Sequence, residues 1–389
     1  MKKKIIILGS TGSIGSITIN LINQNKKKFS IKLLSTNKNI KKVFKQANKF
    51  NVKNVVINDK KSFEKAKIIF KNSKINFHNN FSIIDKLFKK HEIFYSMVSI
   101  VGIDGLSPSL KLIKYSKNIG IINKEALICG WNLINKELEK NKTNFFPIDS
   151  EHFSIFSLII QIPNSKIDKF FITASGGPFL NYSKKKLLNV SISEALKHPN
   201  WNMGKKISVD SSTMMNKVFE VIEAKKIFNT TYKKINILIH EKSYVHSLVS
   251  FNNGITKLLI HEPDMKIPIF NSIYNNMNES LKTKEINFDI LNKLNFQKIS
   301  EDQFPLIKLI KLLPKNDTLF ETVLVTINDF FVSEFLKKKI SYKSLINLIY
   351  EYSHNNIFYH YKKKVPKNVN DIEKTRINVV TKLKNWSIK

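Results

Sequence analysis

The sequence has very little cysteine and very little arginine. Cys129 is the only cysteine among 389 residues, so the chain can form no internal disulfide bond and no zinc site built from cysteines. Arg376 is the only arginine, although lysine and arginine together number 65 and the net charge is +35. Proteins that recognise nucleic acids usually use arginine, whose planar guanidinium fits phosphates and guanine edges. Lysine is instead abundant along the whole chain, and this even spread with almost no arginine argues against a nucleic-acid partner. The positive charge can still help to steer small anionic substrates.

Long hydrophobic runs are also absent. The longest apolar stretches, such as 153–162, fall well short of the roughly 18 residues of a membrane span. Four apolar residues precede Gly9, whereas a signal peptide needs a core of about 7–15. We therefore expect a cytoplasmic protein with no membrane partner. A hydrophobic content of 42% with 24% charged residues is ordinary for a folded protein, and the length allows two or three domains.

Residues 1–148 alternate strand-like and helix-like segments. Short apolar runs are separated by stretches in which apolar residues recur at helical spacing, as in 40–47. Strands separated by helices predict an α/β fold whose N-terminal domain is a Rossmann-like, doubly wound parallel sheet. The predicted strands are Lys4–Leu8, Phe29–Leu34, Asn54–Ile57, Ile93–Ser96, Ile119–Ile122 and Asn144–Ile148.

Three further segments follow. Residues 149–273 predict a central α/β domain with its own sheet, residues 274–299 predict a linker, and residues 300–389 predict a C-terminal helical domain. In the last segment, Thr318 and Glu321 form a capping-box signature ahead of an apolar stripe. The strand-like runs of the central domain are Phe170–Thr173, Ile235–Ile239 and Thr256–Ile260.

A glycine-rich loop joins the first predicted strand to a helical segment. It runs from Gly9 through Gly12 to Gly15, and such glycines let the backbone approach a pyrophosphate at a helix N-terminus. A glycine turn without a ligand is the plainer alternative. The second strand ends near Lys38 without the carboxylate with which NAD enzymes hold the ribose. The missing acid favours NADP.

Two carboxylates follow the last strand of the first domain. In an extended segment, Asp149 and Glu151 point to the same side, where their oxygens suit Mg²⁺ or Mn²⁺. Taken alone, such a pair is more often an exposed turn. Further along the chain, Asn216 and Glu220 share a helix face beside Lys217. Glu220 is therefore a candidate third ligand.

Donors for a phosphate group lie in the same central segment. They are the hydroxyl of Ser211, the amide of Asn216 and the ammonium of Lys217. The Gly-Gly turn after Ser175 adds backbone N–H groups, or is merely a tight bend. The loop around Trp201 predicts a lid that excludes water, with simple core packing as the alternative.

Eight segments together resemble the 1-deoxy-D-xylulose 5-phosphate reductoisomerase family. They occur in the family's order over most of the first 270 residues, whereas the C-terminal third matches weakly. The matching segments are Gly9–Gly15, Asn123–Glu125, Pro147–His152, Ser175–Phe179, His198–Trp201, Lys206–Ser211, Met214–Lys217 and Glu262–Met265.

The resemblance implies an enzyme of non-mevalonate isoprenoid precursor synthesis. Such enzymes isomerise 1-deoxy-D-xylulose 5-phosphate and then reduce the product with NADPH, giving 2-C-methyl-D-erythritol 4-phosphate. The resemblance further implies a requirement for Mg²⁺ or Mn²⁺, a phosphorylated sugar as the partner molecule and a homodimer.

The resemblance also implies a role for each matching residue. Asp149, Glu151 and Glu220 would bind the metal, and Lys124, Glu151 and His198 would be catalytic. The NADPH site would comprise Gly9, Thr11, Gly12, Ser13, Ile14, Asn37, Lys38, Asn39, Asn123, Glu125 and Gly204. The substrate site would comprise Lys124, Ser150, Glu151, Ser175, His198, Ser211, Asn216, Lys217 and Glu220.

Four positions depart from the family pattern. Asn37, Ala174 and His261 stand where glycine is usual, and Asp329 stands where glutamate is usual. Asn37 brings a side chain into the expected 2′-phosphate pocket, so it bears on NADPH affinity. None of the four removes a proposed metal ligand.

Two other functions compete with this interpretation. A semialdehyde dehydrogenase-type NADP oxidoreductase has a similar glycine loop but needs a nucleophilic cysteine, and the apolar setting of Cys129 is typical of a buried, inert thiol. A lysine-rich nucleic-acid-binding protein would need clustered basic residues interleaved with exposed aromatic residues. The lysines of this chain are spread instead.

Overall fold

The computed structural model of the chain describes residues 2–384 other than 188, 202 and 276. These residues form two compact units. The first comprises residues 2–127, 132–149 and 264–282, and the second comprises residues 128–131, 150–263 and 283–384. Position 276 of the predicted linker and the end of the predicted C-terminal domain, 385–389, lie outside the described residues. The boundaries predicted after residues 148, 273 and 299 stay predictions.

A seven-stranded parallel sheet forms the centre of the first unit. Its strands are β1 Lys3–Leu8, β2 Phe29–Thr36, β3 Asn54–Ile57, β4 Asn76–His78, β5 Ile93–Val98, β6 Ser116–Ile121 and β7 Asn144–Pro147. The order is β4-β3-β2-β1-β5-β6-β7, with every pair parallel. The order reverses direction at β1, and in such sheets ligands bind beyond the C-terminal ends of the strands at this point. The predicted Rossmann-like sheet is confirmed, although the prediction lacks the three-residue β4.

The central strands are apolar because both faces of the sheet are covered. All four residues from Ile5 to Leu8 are 0% exposed, which is typical of a parallel sheet between helices.

The α-helices of both units are numbered in chain order. The helices of the described residues are α1 Ser13–Gln24, α2 Ile40–Phe50, α3 Lys60–Ile69, α4 Ile84–Leu87, α5 Leu106–Ile113, α6 Lys124–Asn141, α7 Ser150–Leu158, α8 Lys184–Leu187, α9 Ile192–Ala195, α10 Lys205–Ser212, α11 Met215–Ile227, α12 Lys266–Ile273, α13 Phe288–Leu291, α14 Phe320–Leu336, α15 Tyr342–Ser353 and α16 Val369–Leu383.

A five-stranded mixed sheet lies in the second unit. Its strands are β8 Ile167–Ala174, β9 Ile235–Ile239, β10 Val245–Phe251, β11 Thr256–Ile260 and β12 Gln297–Lys298. The order is β11-β10-β8-β9-β12, and only β8 and β9 pair in parallel. The prediction lacks β12, which lies within the predicted linker. It also lacks β10, whose polar residues His246, Ser247 and Ser250 interrupt its apolar pattern.

Helices α7 and α11 pack on this sheet through a shared apolar core. Ile155 of α7 and Val221 of α11 meet Ile172 and Val249 of the sheet, and each is at most 1% exposed. This packing supports the starts of both helices, where the candidate site lies.

The C-terminal segment is helical, as predicted. Glu321 accepts hydrogen bonds from the Thr318 backbone N–H at 3.1 Å and from its hydroxyl at 2.7 Å. Helix α14 begins only at Phe320, so its N-cap position is Leu319 rather than Thr318. Two longer 3₁₀ helices, Pro305–Leu312 and Asn356–Lys363, complete this region. Among the described residues, no helix combines the length and apolarity that a membrane crossing requires.

Candidate active site

The glycine loop after β1 has no room for a side chain at two positions. Gly9 has a φ of +76°, and a Cβ atom there would lie 2.5 Å from the Ser99 carbonyl oxygen. A Cβ atom at Gly15 would lie 2.3 Å from the Gly9 carbonyl oxygen. Helix α1 then begins at Ser13, and Gly12 before it provides no side-chain cap. The first N–H groups of α1 are therefore oriented to bind an anion.

A lysine that belongs to none of the predicted motifs lies beside this loop. The ammonium of Lys42 on α2 donates to the Thr11 carbonyl oxygen at 2.9 Å and to the Ser16 hydroxyl at 2.7 Å. Thr11 also hydrogen-bonds Thr36 through their hydroxyl groups at 2.7 Å, and Ile14 is half-buried. In a chain with so many lysines, no sequence signal distinguishes Lys42.

The loop after β2 lies next to the glycine loop. Gly9 donates its N–H to the Ser35 hydroxyl at 2.9 Å, which joins the two strand ends. Asn37, Lys38 and Asn39 are exposed there. The Asn39 side chain caps α2 by accepting the Lys42 backbone N–H at 3.1 Å. Lys38 is the one residue of the three with a positive charge, which it brings to this edge of the sheet.

Residues 123–125 begin helix α6. The amide of Asn123 accepts the first-turn N–H of Ala126 at 2.8 Å and donates to two carbonyl groups of the loop after β5. Lys124 and Glu125 are both 7% exposed. The ammonium of Lys124 forms an ion pair with Asp149, which follows β7. Neighbouring strands β6 and β7 thus bring these two charged groups together.

Three carboxylates converge at the start of helix α7. Asp149 directly precedes α7, Glu151 lies in its first turn, and Glu220 lies on α11; ligand oxygens of all three are within 4.8 Å of one another. The extended segment predicted for Asp149 and Glu151 is wrong, because α7 begins between them at Ser150. His152 Nε2 donates to the Glu220 carbonyl oxygen at 2.9 Å, and the Ser247 hydroxyl donates to the Glu151 carbonyl oxygen at 2.8 Å. A donor set made only of carboxylate oxygens fits a hard divalent cation.

Lys217 bridges two of these carboxylates. Its Nζ atom is 2.6 Å from Glu151 Oε1 and 2.6 Å from Glu220 Oε2. Burial opposes the charged ammonium, but the two carboxylates together raise the pKa of Lys217 above its usual value. Asn216 donates its amide to Glu220 Oε1 at 2.6 Å. Glu220, which is 1% exposed, therefore accepts hydrogen bonds from two donors of its own helix.

Ser175, His198 and Ser211 lie in loops and helix ends of the second unit. Ser175 Oγ accepts the Gly177 N–H at 3.1 Å and is 3.1 Å from His198 Nε2. Burial lowers the pKa of His198 to about 4, and the nearby charge of Lys217 contributes. A Cβ atom at Gly177 would lie 2.9 Å from the Ser211 carbonyl oxygen, so the turn after β8 closely approaches the end of α10.

The two remaining predicted residues differ in their surroundings. Ser150 donates its hydroxyl to Glu151 Oε2 at 2.5 Å, beside the carboxylate cluster. Gly204 belongs to the second unit, where it is the N-cap residue of α10, whereas the other residues of the predicted NADPH site belong to the first. No described atom lies within 4 Å of a Cβ atom built on Gly204, so no steric reason for a glycine is visible there.

Three of the departures from the family pattern are well accommodated. Ala174 is buried at the end of β8. The ring of His261 stacks on His246 with 3.8 Å between centroids. Asp329 lies 3.0 Å from the ammonium of Lys206. These substitutions therefore have packing or charge partners of their own.

Three protein-family models match the chain. The 1-deoxy-D-xylulose 5-phosphate reductoisomerase model matches residues 5–130. The model of that enzyme's C-terminal domain matches residues 145–228, and a further DXP reductoisomerase C-terminal domain model matches residues 260–384. The last match covers the segment in which sequence motifs were weakest.

Whole-chain comparisons agree with the family models. The chain is 50% identical to 1-deoxy-D-xylulose 5-phosphate reductoisomerase of Pelagibacter ubique, over 99% of the chain and 100% of the relative. It is 37% identical to the enzyme of Wolbachia pipientis wMel, over 89% of both chains. The Zymomonas mobilis enzyme in complex with NADPH is 28% identical with a TM-score of 0.85, over 97% of both chains. A DOX-P reductoisomerase structure with NADPH, fosmidomycin and magnesium is 27% identical with a TM-score of 0.90, over 99% of both chains. The chain therefore belongs to the 1-deoxy-D-xylulose 5-phosphate reductoisomerase family.

Proposed function

We propose that the chain converts 1-deoxy-D-xylulose 5-phosphate into 2-C-methyl-D-erythritol 4-phosphate, with NADPH as the reductant and with Asp149, Glu151 and Glu220 as ligands of a divalent metal. Family membership supports the reaction and makes the chain an NADPH-dependent oxidoreductase. The observation that carries the metal assignment is the approach of three carboxylates to within 4.8 Å. The semialdehyde dehydrogenase alternative is disfavoured because the thiol of Cys129 is 1% exposed, too buried to attack a substrate.

The carboxylate cluster fits Mg²⁺ or Mn²⁺ by its donor chemistry. When bound, such a cation supplies Lewis acidity toward the oxygens of the substrate. The ammonium groups of Lys217 and Lys124 already offset part of the negative charge of the cluster. Lys124 is also placed to donate a proton or a hydrogen bond to a substrate oxygen beside Asp149. These two lysines hold the carboxylates in place through ion pairs, beside the position that a divalent cation would take.

The first unit supplies the groups that suit NADPH, which brings the hydride. The N–H groups at the start of α1 bind the pyrophosphate through Thr11, Gly12, Ser13 and Ile14. Lys42 adds a positive charge at that loop. Lys38 contacts the 2′-phosphate, and no acidic residue stands within the exposed segment 37–39 to repel it.

The second unit supplies the groups that suit the sugar phosphate. Ser211, Asn216 and Lys217 are donors to the phosphate oxygens, and Ser175 and His198 complete this end of the substrate site. Because the phosphate is remote from the reacting carbons, its binding orients them without taking part in the chemistry.

The deciding experiment is NADPH oxidation with 1-deoxy-D-xylulose 5-phosphate, followed at 340 nm with and without EDTA. We expect turnover that EDTA abolishes and that Mg²⁺ or Mn²⁺ restores. Aspartate semialdehyde in place of the sugar phosphate is the control and should give no turnover. Absence of turnover with the sugar phosphate, or turnover that is indifferent to EDTA, would refute the proposal.

We further propose a cytoplasmic homodimer with the domain division 1–148, 149–273 and 300–389. Strand β11 is an edge of the second sheet, and Ile255 and Leu258 beside and within it are 53% and 40% exposed. An exposed strand edge with apolar side chains suits pairing with a second copy. Sedimentation velocity should report a dimer, and L258K should weaken it; a wild-type monomer would contradict this proposal.

A further inference from the structure

We propose that Asn200 is a positioning residue that anchors His198 and determines which imidazole nitrogen of His198 carries the proton. The inference rests on the proposed function, because it assigns His198 and Ser175 to the substrate site. All of the contacts that carry it lie within the second unit.

The Asn200 side chain anchors its loop to the turn between β9 and β10. Its amide nitrogen donates to the Glu241 carbonyl oxygen at 2.6 Å and to the Ser243 hydroxyl at 2.8 Å. Both amide hydrogens are therefore engaged on the turn between the two strands. The next residue adds a second anchor, because the Trp201 ring meets the edge of the His246 ring with 6.1 Å between centroids.

The backbone of the same segment fixes the His198 ring. The N–H groups of Asn200 and Trp201 both point at His198 Nδ1, at 3.2 Å and 3.0 Å. A nitrogen that accepts hydrogen bonds carries no proton, so the proton of the neutral imidazole is on Nε2. The neutral form prevails at neutral pH because burial lowers the pKa of this ring.

The tautomer of His198 in turn directs the Ser175 hydroxyl. His198 Nε2 donates to Ser175 Oγ at 3.1 Å, and the Gly177 N–H donates to the same oxygen at 3.1 Å. With two donors on the oxygen, the hydroxyl hydrogen of Ser175 must point elsewhere. It is then available as a donor to a phosphate oxygen of the substrate.

This arrangement faces open space. A cleft of about 670 Å³ is lined by Ser175, Pro199, Asn200 and Glu241, among others. Ser175, whose hydroxyl is oriented, and Asn200, which anchors the loop, therefore line the same cleft. A small phosphorylated molecule can enter this cleft. Loss of the Asn200 anchor should weaken substrate binding at this end without affecting the dinucleotide.

The kinetic test compares N200A and N200D with the wild type. Both variants lose the two amide donors, and N200D keeps the size of the side chain while placing an oxygen against the Glu241 carbonyl. We expect the KM for 1-deoxy-D-xylulose 5-phosphate to rise about ten-fold, with kcat and the KM for NADPH changed less than about three-fold. An unchanged KM for the sugar phosphate in N200D, or equal losses in all three constants, would overturn the proposal. N189A, at an exposed asparagine of the same unit, is the matched control and should behave as wild type.

The spectroscopic test does not depend on turnover. In protein with ¹⁵N-labelled histidine, the His198 signals are assigned by their loss in H198Q. We expect the wild type to show a protonated Nε2 and an unprotonated Nδ1, and N200D to show exchange between tautomers. A wild-type ring protonated on Nδ1, or identical spectra for N200D and wild type, would refute the proposal. If the wild type does not turn over the sugar phosphate, the proposed function fails while this test still decides the role of Asn200.

Discussion

Glu220 combines almost complete burial with a hydrogen bond to each oxygen of its carboxylate. It accepts from Asn216 and Lys217 of its own helix, and His152 binds its carbonyl group. A carboxylate held in this way has one orientation available, with its oxygens toward Asp149 and Glu151. At the scale of single residues, this rigidity makes Glu220 the most sensitive position of the proposed metal site.

We expect E220Q to reduce turnover by more than about 100-fold and to raise the metal concentration needed for half-maximal rate. The amide keeps the shape of the side chain but removes its negative charge. NADPH binding, measured by fluorescence titration, should remain within about two-fold of the wild type. E285Q, at an exposed glutamate, is the control. A metal titration curve for E220Q that superimposes on the wild-type curve would contradict the assignment.

Lys38 provides the corresponding test of the dinucleotide site. We expect K38A to raise the KM for NADPH by about 10-fold or more, with a smaller loss in kcat, because a charge-assisted hydrogen bond to the 2′-phosphate is lost. The KM for NADH should not change, since NADH has no 2′-phosphate. K41A removes a lysine one turn away on the exposed face of α2 and serves as the control for net charge. A larger effect on kcat than on KM would count against the contact.

At the scale of elements, a buried ion-pair network joins α11 to the start of α14. Lys226 Nζ is 3.5 Å from Asp317 and 3.4 Å from Glu321, and it donates to the Ile128 carbonyl oxygen at 2.8 Å. Lys225 Nζ is 2.7 Å from Asp317. The Lys226 side chain is only 2% exposed, so removal of one of its two acidic partners leaves a buried charge that Glu321 alone compensates less fully.

We expect D317N to lower the free energy of unfolding by about 2–4 kcal/mol at pH 7. Burial alone would raise the pKa of Asp317, but Lys226 and Lys225 bring it below its ordinary value of 3.8. A carboxyl group whose pKa is lowered by folding contributes stability above its ordinary pKa and loses it as the pH falls through the folded pKa. The difference between wild type and D317N should therefore disappear on acidification.

Urea denaturation of both proteins at several pH values measures this difference. D289N, at an exposed aspartate, should change the free energy of unfolding by less than about 0.5 kcal/mol. A stability difference that stays constant between pH 7 and strongly acidic conditions would show that the loss at D317N does not come from the charge of Asp317.

The elements differ in how far sequence patterns predict them. Strands β1 and β3 contain continuous apolar runs, because a parallel strand buried on both faces has no polar side to reveal. Strand β10 is missed because His246, Ser247 and Ser250 interrupt its apolar residues. His246 stacks on the His261 ring, and Ser247 donates to the Glu151 carbonyl oxygen. Strand β4 is too short to form a pattern.

The net charge of +35 belongs to the chain as a whole, because lysines are spread along its entire length. A strongly positive protein raises the local concentration of anions around it. We expect kcat/KM for the sugar phosphate to fall several-fold as ionic strength rises from about 0.02 to 0.3 M, while kcat stays nearly constant. Initial rates in potassium chloride and in choline chloride would separate screening from specific ion effects. A kcat/KM that is independent of salt would show that the charge does not steer the substrate.

Local rules of the chain were enough to predict the glycine loop, the parallel sheet of the first unit without β4, and three strands of the second sheet, because strand periodicity and glycine geometry depend on neighbouring residues only. Short spacing identified Asp149 and Glu151 as a pair, although Glu151 lies in a helix and not in the extended segment that was predicted. The approach of Glu220 to that pair, the bridge from Lys217 and the place of Lys42 at the glycine loop depend on the tertiary structure. Each of these contacts joins residues far apart along the chain, and only the packing of helices on sheets determines which distant side chains meet.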